Sequence, residues 1–182
     1  MTRKNRKMLV IDANIARSAG TTEVPSSFYS RACLDAVLKA EYVAVFSHAL
    51  EQEWNKHASL YSRQWRASMV ARRRIESVEG REFAHLLDRA CSCLARIAWQ
   101  DALRKDFHLV QSALATGQIL LSNETNLPSH LKASCEAVTE FRKLFFANPE
   151  IEQGDCITWI VAGAKKETKR RIDQWSRHNA AN

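Results

Sequence analysis

Short unbroken apolar runs alternate along this chain with longer stretches in which apolar residues recur every three or four positions. The run Met8-Leu-Val-Ile11 has no polar interruption and stops at Asp12, which predicts a strand over 8–12 buried on both faces of a parallel sheet. Ser26 and Ser27 can cap a helix reaching about Ala40, with Phe28, Ala32, Leu34, Ala36, Val37 and Leu38 apolar. The β-branched and aromatic run 42–46 predicts a second buried strand, and Ser47 caps the helix that follows. From 61 to 104 the pattern is helical throughout, as two amphipathic helices joined near Gly80. Asp106 opens a further helix that Gly117 closes, and Ile119-Leu-Leu121 forms a third strand. Leu144-Phe-Phe146 is an edge strand, and Gly154-Asp155 begins the last helix, where Asp155 would act as the cap.

Strands alternating with helices imply a mostly parallel sheet wrapped by helices, in a helix-rich α/β fold. The length of 182 residues suits one domain with a full core. Only five glycines and three prolines argue against long flexible linkers. The longest apolar runs fall well short of the roughly 18 residues of a membrane span. The first run is also too short for a signal-peptide core, so the expected setting is cytoplasmic. Five cysteines without a CxxC pair read as free thiols, and His48 and His57 lie nine apart, which is not a zinc spacing. The five tryptophans fit core or interface positions, with Trp175 in its charged setting the one suited to stacking on a base.

The net charge is +7 and the pI about 9.4, which favours an anionic partner, nucleic acid first. The charge is clustered. Arg72, Arg73 and Arg74 form one run inside a predicted helix, and Lys165, Lys166, Lys169, Arg170 and Arg171 form a denser one in a tail over 164–182. Each run alone is an ordinary solvated helix face; together with the basic N-terminus they make candidate RNA contacts.

Four acidic residues stand at comparable places in this pattern. Asp12 ends the first strand, Glu53 lies on the helix after the second, Asp106 on the helix before the third, and Glu124 just past the third strand. Asp12 could also simply cap the next helix. Glu51 is two residues from Glu53 and so points elsewhere on a helix, and Asp101 reads as surface. If the four converge, their mutual repulsion calls for a hard divalent cation with oxygen ligands, Mg²⁺ or Mn²⁺. Such an ion can activate water against a phosphodiester.

Three motifs carry a family resemblance. Val10-Ile-Asp12-Ala-Asn14, Phe46-Ser-His-Ala-Leu-Glu-Gln-Glu53-Trp54, and Asp106 through Ser122-Asn-Glu124-Thr-Asn126 together resemble the PIN-domain family of metal-dependent nucleases, over about 8–127. The resemblance implies a three-layer sandwich around a parallel sheet of about five strands. It implies that Asp12, Glu53, Asp106 and Glu124 ligate one or two Mg²⁺ or Mn²⁺ ions, with Asn14 and Ser122 supporting the pocket. It further implies a ribonuclease, with toxin-type relatives that pair with a small antitoxin and form homodimers. The chain departs from the pattern at Glu124, where Asp is usual, and at Asn126, where a second Asp is common. Those departures define the alternative of a degraded PIN-like module that binds RNA or protein. A haloacid-dehalogenase-type phosphatase would need an Asp at the position of Asn14. The segment 61–104 reads as a helical insertion relative to a compact toxin.

Overall fold

A computed structural model describes residues 7–176, so residues 1–6 of the basic N-terminus and 177–182 of the tail lie outside the described residues. Five strands form one parallel sheet: β1 (Met8–Ile11), β2 (Val43–Phe46), β3 (Ile75–Ser77), β4 (Ile119–Leu121) and β5 (Phe145–Ala147). Their order is β3-β2-β1-β4-β5, with Val10 in register with both Val45 and Leu120. β1, β2, β4 and β5 are almost wholly buried, which explains why their sequences are apolar runs and not alternations.

Nine α-helices surround the sheet among the described residues: α1 (Ala13–Ser18), α2 (Pro25–Lys39), α3 (His48–His57), α4 (Leu60–Ala71), α5 (Leu86–Ser92), α6 (Ile97–Leu114), α7 (Asn126–Ala133), α8 (Pro149–Glu152) and α9 (Gly154–Val161). Their contacts sort them into two groups. α2 packs on α1, α4, α8 and α9, whereas α6 packs on α5 and α7 and lies against β1, β2 and β4. The result is a three-layer, helix-flanked α/β sandwich. No helix of the described residues is long and apolar enough to cross a membrane.

The sheet order creates a switch point. From β1 the chain moves outward to β2 and β3; it then returns to β4 and moves outward the other way to β5. The connections leaving β1 and β4 therefore diverge, and a crevice opens between the carboxyl ends of those two strands, where open α/β sheets hold ligands.

Several local expectations change. The stretch 61–104 is not helical throughout: Arg73 adopts a left-handed conformation (φ 53°), α4 stops at Ala71, and β3 follows as the edge strand. Three residues, two half-buried and one exposed, give too little pattern to register as a strand. The segment therefore supplies part of the sheet frame. Pro25, not Ser26 or Ser27, begins α2, behind Val24. Asp106 does not open a helix, because α6 starts at Ile97. The edge strand is shifted by one residue, to Phe145–Ala147. Trp175 is a core residue, buried edge-on against Phe146 at 5.7 Å. Asp155 makes no cap; it pairs with Lys169 at 3.1 Å and with Arg170.

α6 ends with Ala115 as its C-cap, and Gly117 is needed for a different reason than closing the helix. A Cβ at Gly117 would lie 1.8 Å from the Met8 carbonyl oxygen, a backbone atom that cannot step aside. Gly117→Ala should cost about 2–3 kcal/mol or more, read as a lowered midpoint in chemical denaturation with the slope unchanged.

Candidate active site

The site is built on the crevice between β1 and β4. The Asp12 amide donates to the Leu121 carbonyl at 2.9 Å, so the two strands remain tied one residue past the end of β1. Asp12 is also the N-cap of α1, and its Oδ1 accepts from the Asn14 amide at 3.2 Å. Capping and a place in the site thus coexist in one carboxylate. Its other oxygen, Oδ2, accepts from the Ser122 hydroxyl at 2.6 Å. The Ser122 Oγ accepts in turn from Asn14 Nδ2 at 3.0 Å and from the Glu124 amide at 2.9 Å. One donation and two acceptances use the full capacity of a hydroxyl. Asn14 Oδ1 takes the Asn123 amide at 3.1 Å and completes the link between α1 and the loop after β4.

Glu53 is positioned by its neighbour. Ser47 caps α3 by accepting from the Leu50 amide at 3.2 Å, and Trp54 buries its ring against Phe46 while its Nε1 donates to the Ile11 carbonyl at 3.0 Å. That bond fixes α3 against the end of β1 and leaves Glu53 on the crevice side. Glu51 instead pairs with Arg66, and Asp101 is an exposed partner of Arg104.

Asp106 reaches the crevice from the middle of α6. Gly117 sits beside Met8, at the amino end of β1, and α6 runs back over the sheet from there. Eleven residues at about 1.5 Å each return roughly 16 Å, while β1 needs about 13 Å to reach Asp12. Asp106 therefore arrives level with the strand ends, held by Leu103, Phe107 and Val110 on the buried face of the helix.

Asp12, Glu53, Asp106 and Glu124 line one cleft of about 200 Å³, together with Ala13, Asn14, Arg17, His57 and Lys105. A second recess, between α6 and α7, adjoins it and shares Lys105, Asp106 and Glu124. Glu124 turns back on the start of α7: its Oε1 accepts from the Thr125 and Asn126 amides at 2.9 and 2.8 Å. His108 Nε2 lies 3.6 Å from a Glu53 carboxylate oxygen with no hydrogen-bond partner among the described residues.

The charges are in conflict. Burial raises the Asp12 carboxyl above its ordinary range, Ser122 and Asn14 offset part of this, and the charge on Glu53 adds to it. Asp106 is pushed up to about 6, first by burial and then by Asp12; Lys105 opposes the shift, and Glu53 and Glu124 reinforce it. All four donors are hard carboxylate oxygens, and each would gain from a hard cation between them, so the donor chemistry fits Mg²⁺ or Mn²⁺. Among the described residues no three His, Cys, Asp or Glu side chains form a ready-made ligand set.

Arg17, Lys105, His57 and His108 did not emerge from the sequence. Two of them carried a readable signal: Arg17 lies three residues after Asn14 and His57 four after Glu53, each on the same helical stripe. The predicted basic runs lie elsewhere. Arg72–Arg74 precede β3, and Lys165 and Lys166 share a groove with Lys7, Met8 and Gly117, all at the amino edge of the sheet. Arg74 is committed to Glu41 and the Leu38 carbonyl, Arg171 to Asp173, and Arg170 is buried against Glu152.

Comparison with known proteins returned no match to a family model, a curated protein or a solved structure.

The elevated Asp106 carboxyl makes a signed prediction about stability. Its folded value of about 6 exceeds the ordinary 3.8, so the folded state binds the proton more tightly. The stability this contributes is complete below the unfolded value and is lost as pH rises through about 6. In chelator-treated protein, Asp106→Asn should escape that loss. Discounted for the partial exposure of the group, the gain is about 1 kcal/mol at neutral pH, or roughly 2–4 °C in melting temperature. Near about pH 4 the variant and parent should melt together.

Proposed function

We propose that this protein is a metal-dependent ribonuclease of the PIN type, hydrolysing RNA phosphodiester bonds. One observation carries the reading: four carboxylates from four separate segments line a single cleft at the carboxyl edge of a parallel sheet, at its switch point. The alternative use of such a crevice, dinucleotide binding, needs a glycine-rich turn after the first strand, and Asp12-Ala-Asn14 has no glycine. Asp12, Glu53, Asp106 and Glu124 would hold Mg²⁺ or Mn²⁺. When bound, the ion would neutralise charge at the phosphate and make a water easier to deprotonate for attack on it.

The chain's own residues have distinct parts in this scheme. Ser122 and Asn14 hold Asp12 in one orientation, so that its carboxylate is fixed before any ligand arrives. Trp54 sets the position of Glu53 through the Ile11 carbonyl. An antitoxin partner and a homodimer belong to the toxin-type members of the same resemblance and form part of this proposal.

A second reading is favoured by one specific contact. Glu124, with its extra methylene, spends Oε1 on two amides at the start of α7. A carboxylate used as a helix cap is a poorer ligand, and a pocket so weakened would suit an RNA- or protein-binding module.

Calorimetry with Mn²⁺ on the parent and Asp12→Asn, beside cleavage of single-stranded RNA, separates the two. The nuclease reading expects Mn²⁺ binding in the parent, its loss in the variant, and cleavage reduced roughly a hundredfold or more with the fold intact. RNA binding without Mn²⁺ binding or cleavage in a folded parent would instead establish the module.

A further inference from the structure

The cleft's own cations lie apart from the basic runs. Arg17 on α1 and Lys105 on α6 line the same recess as the four carboxylates. The two helices lie on opposite faces of the sheet, so the cations face the crevice from its two walls. Both side chains are exposed, and among the described residues neither makes a hydrogen bond or an ion pair. Other basic side chains of the chain are already committed. Arg31 is spent on Glu23 and two carbonyls, Arg66 on Glu51 and Asn55, and Arg74 on Glu41. Two free cations beside four carboxylates are available to an anion from outside.

Charge decides when that anion can enter. With all four carboxylates ionised, Arg17 and Lys105 leave the cleft with two net negative charges. A phosphodiester meeting the bare cleft is repelled. One divalent ion brings the cleft to neutrality and leaves the two cations as the groups facing incoming phosphates. We infer that Arg17 and Lys105 are positioning residues that grip the RNA phosphates on either side of the bond to be cut, and that they do so only after a divalent cation has bound. This rests on the nuclease reading. Lys105 also lies at the junction with the recess between α6 and α7, so a strand held there continues past Asn126 and His130.

The two binding steps respond with opposite sign, which a purely structural role would not produce. Arg17→Ala and Lys105→Ala each remove a positive charge from beside the carboxylates, so each should tighten Mn²⁺ binding in calorimetry. Each should weaken binding of a short single-stranded oligoribonucleotide, measured with Ca²⁺ and with intact RNA verified on a gel. Each should also lower the slope of log affinity against log salt by about 0.7, the contribution of one phosphate contact on a single strand. Arg72→Ala at the far edge of the sheet should change none of these three quantities. The inference is overturned if the Arg17/Lys105 double alanine variant keeps the parent's RNA affinity and salt slope while the parent binds Mn²⁺ and cleaves RNA. It is also overturned if RNA binds the cleft equally well with chelator present. A parent that neither binds Mn²⁺ nor engages RNA removes the nuclease reading itself, and the inference with it.

Discussion

The hydroxyl of Ser122 is buried just past the end of β4, and three segments at the carboxyl edge of the sheet are tied to it. It donates to Asp12, accepts from Asn14 and accepts from the Glu124 backbone. It thereby binds the first strand, the first helix and the loop that precedes α7 at a single atom. A buried hydroxyl with all three capacities used has no alternative arrangement of similar energy. This is why the crevice has a defined shape although several of its walls are helix ends and loops. The cost of leaving any of these polar groups unpaired inside the protein is larger than the net gain of an ordinary hydrogen bond.

Around that fixed point the electrostatics run against stability. Asp12 and Asp106 are both held above the ordinary carboxylate range, first by burial; the charge of Glu53 adds to the shift at Asp12, and the charge of Asp12 adds to that at Asp106. A protein selected only for stability would replace such residues with amides or apolar side chains. The chain keeps a carboxylate cluster on the cleft, rigidly oriented at Asp12, flanked by two unpaired cations. At several places elsewhere charge is neutralised locally: Glu152 is buried against Arg170, Glu51 pairs with Arg66, and Asp173 pairs with Arg171. The contrast between neutralised pairs and an uncompensated cleft separates structural charge from charge that is available for chemistry.

Four of the five strands were legible, β5 one residue displaced, because buried parallel strands are written as unbroken apolar runs. β1, β2 and β4 needed no other signal, and the Ser47 cap and the choice of Glu53 over Glu51 followed from capping and helical spacing. β3 was not legible, since a three-residue edge strand with Ile, Glu and Ser has neither a run nor an alternation. The start of α6 at Ile97 was hidden because Arg96 offers no side-chain cap there. The basic runs were visible but uninformative: linear density of charge says nothing about which edge of a sheet receives it.

By itself, the sequence determined the residue types that can enter a carboxylate cleft, the local elements that carry them and the α/β class of the fold. These follow from short-range physics: periodicity, capping and the burial of apolar runs. Only the tertiary structure decided that Asp12, Glu53, Asp106 and Glu124 share one cleft, and that Arg17 and Lys105 join them while Arg72–Arg74 and Lys165–Lys166 fall at the opposite edge. The reason is geometric. Meeting at the crevice depends on strand order and on the distance α6 travels back across the sheet, and neither quantity is encoded within any window of neighbouring residues.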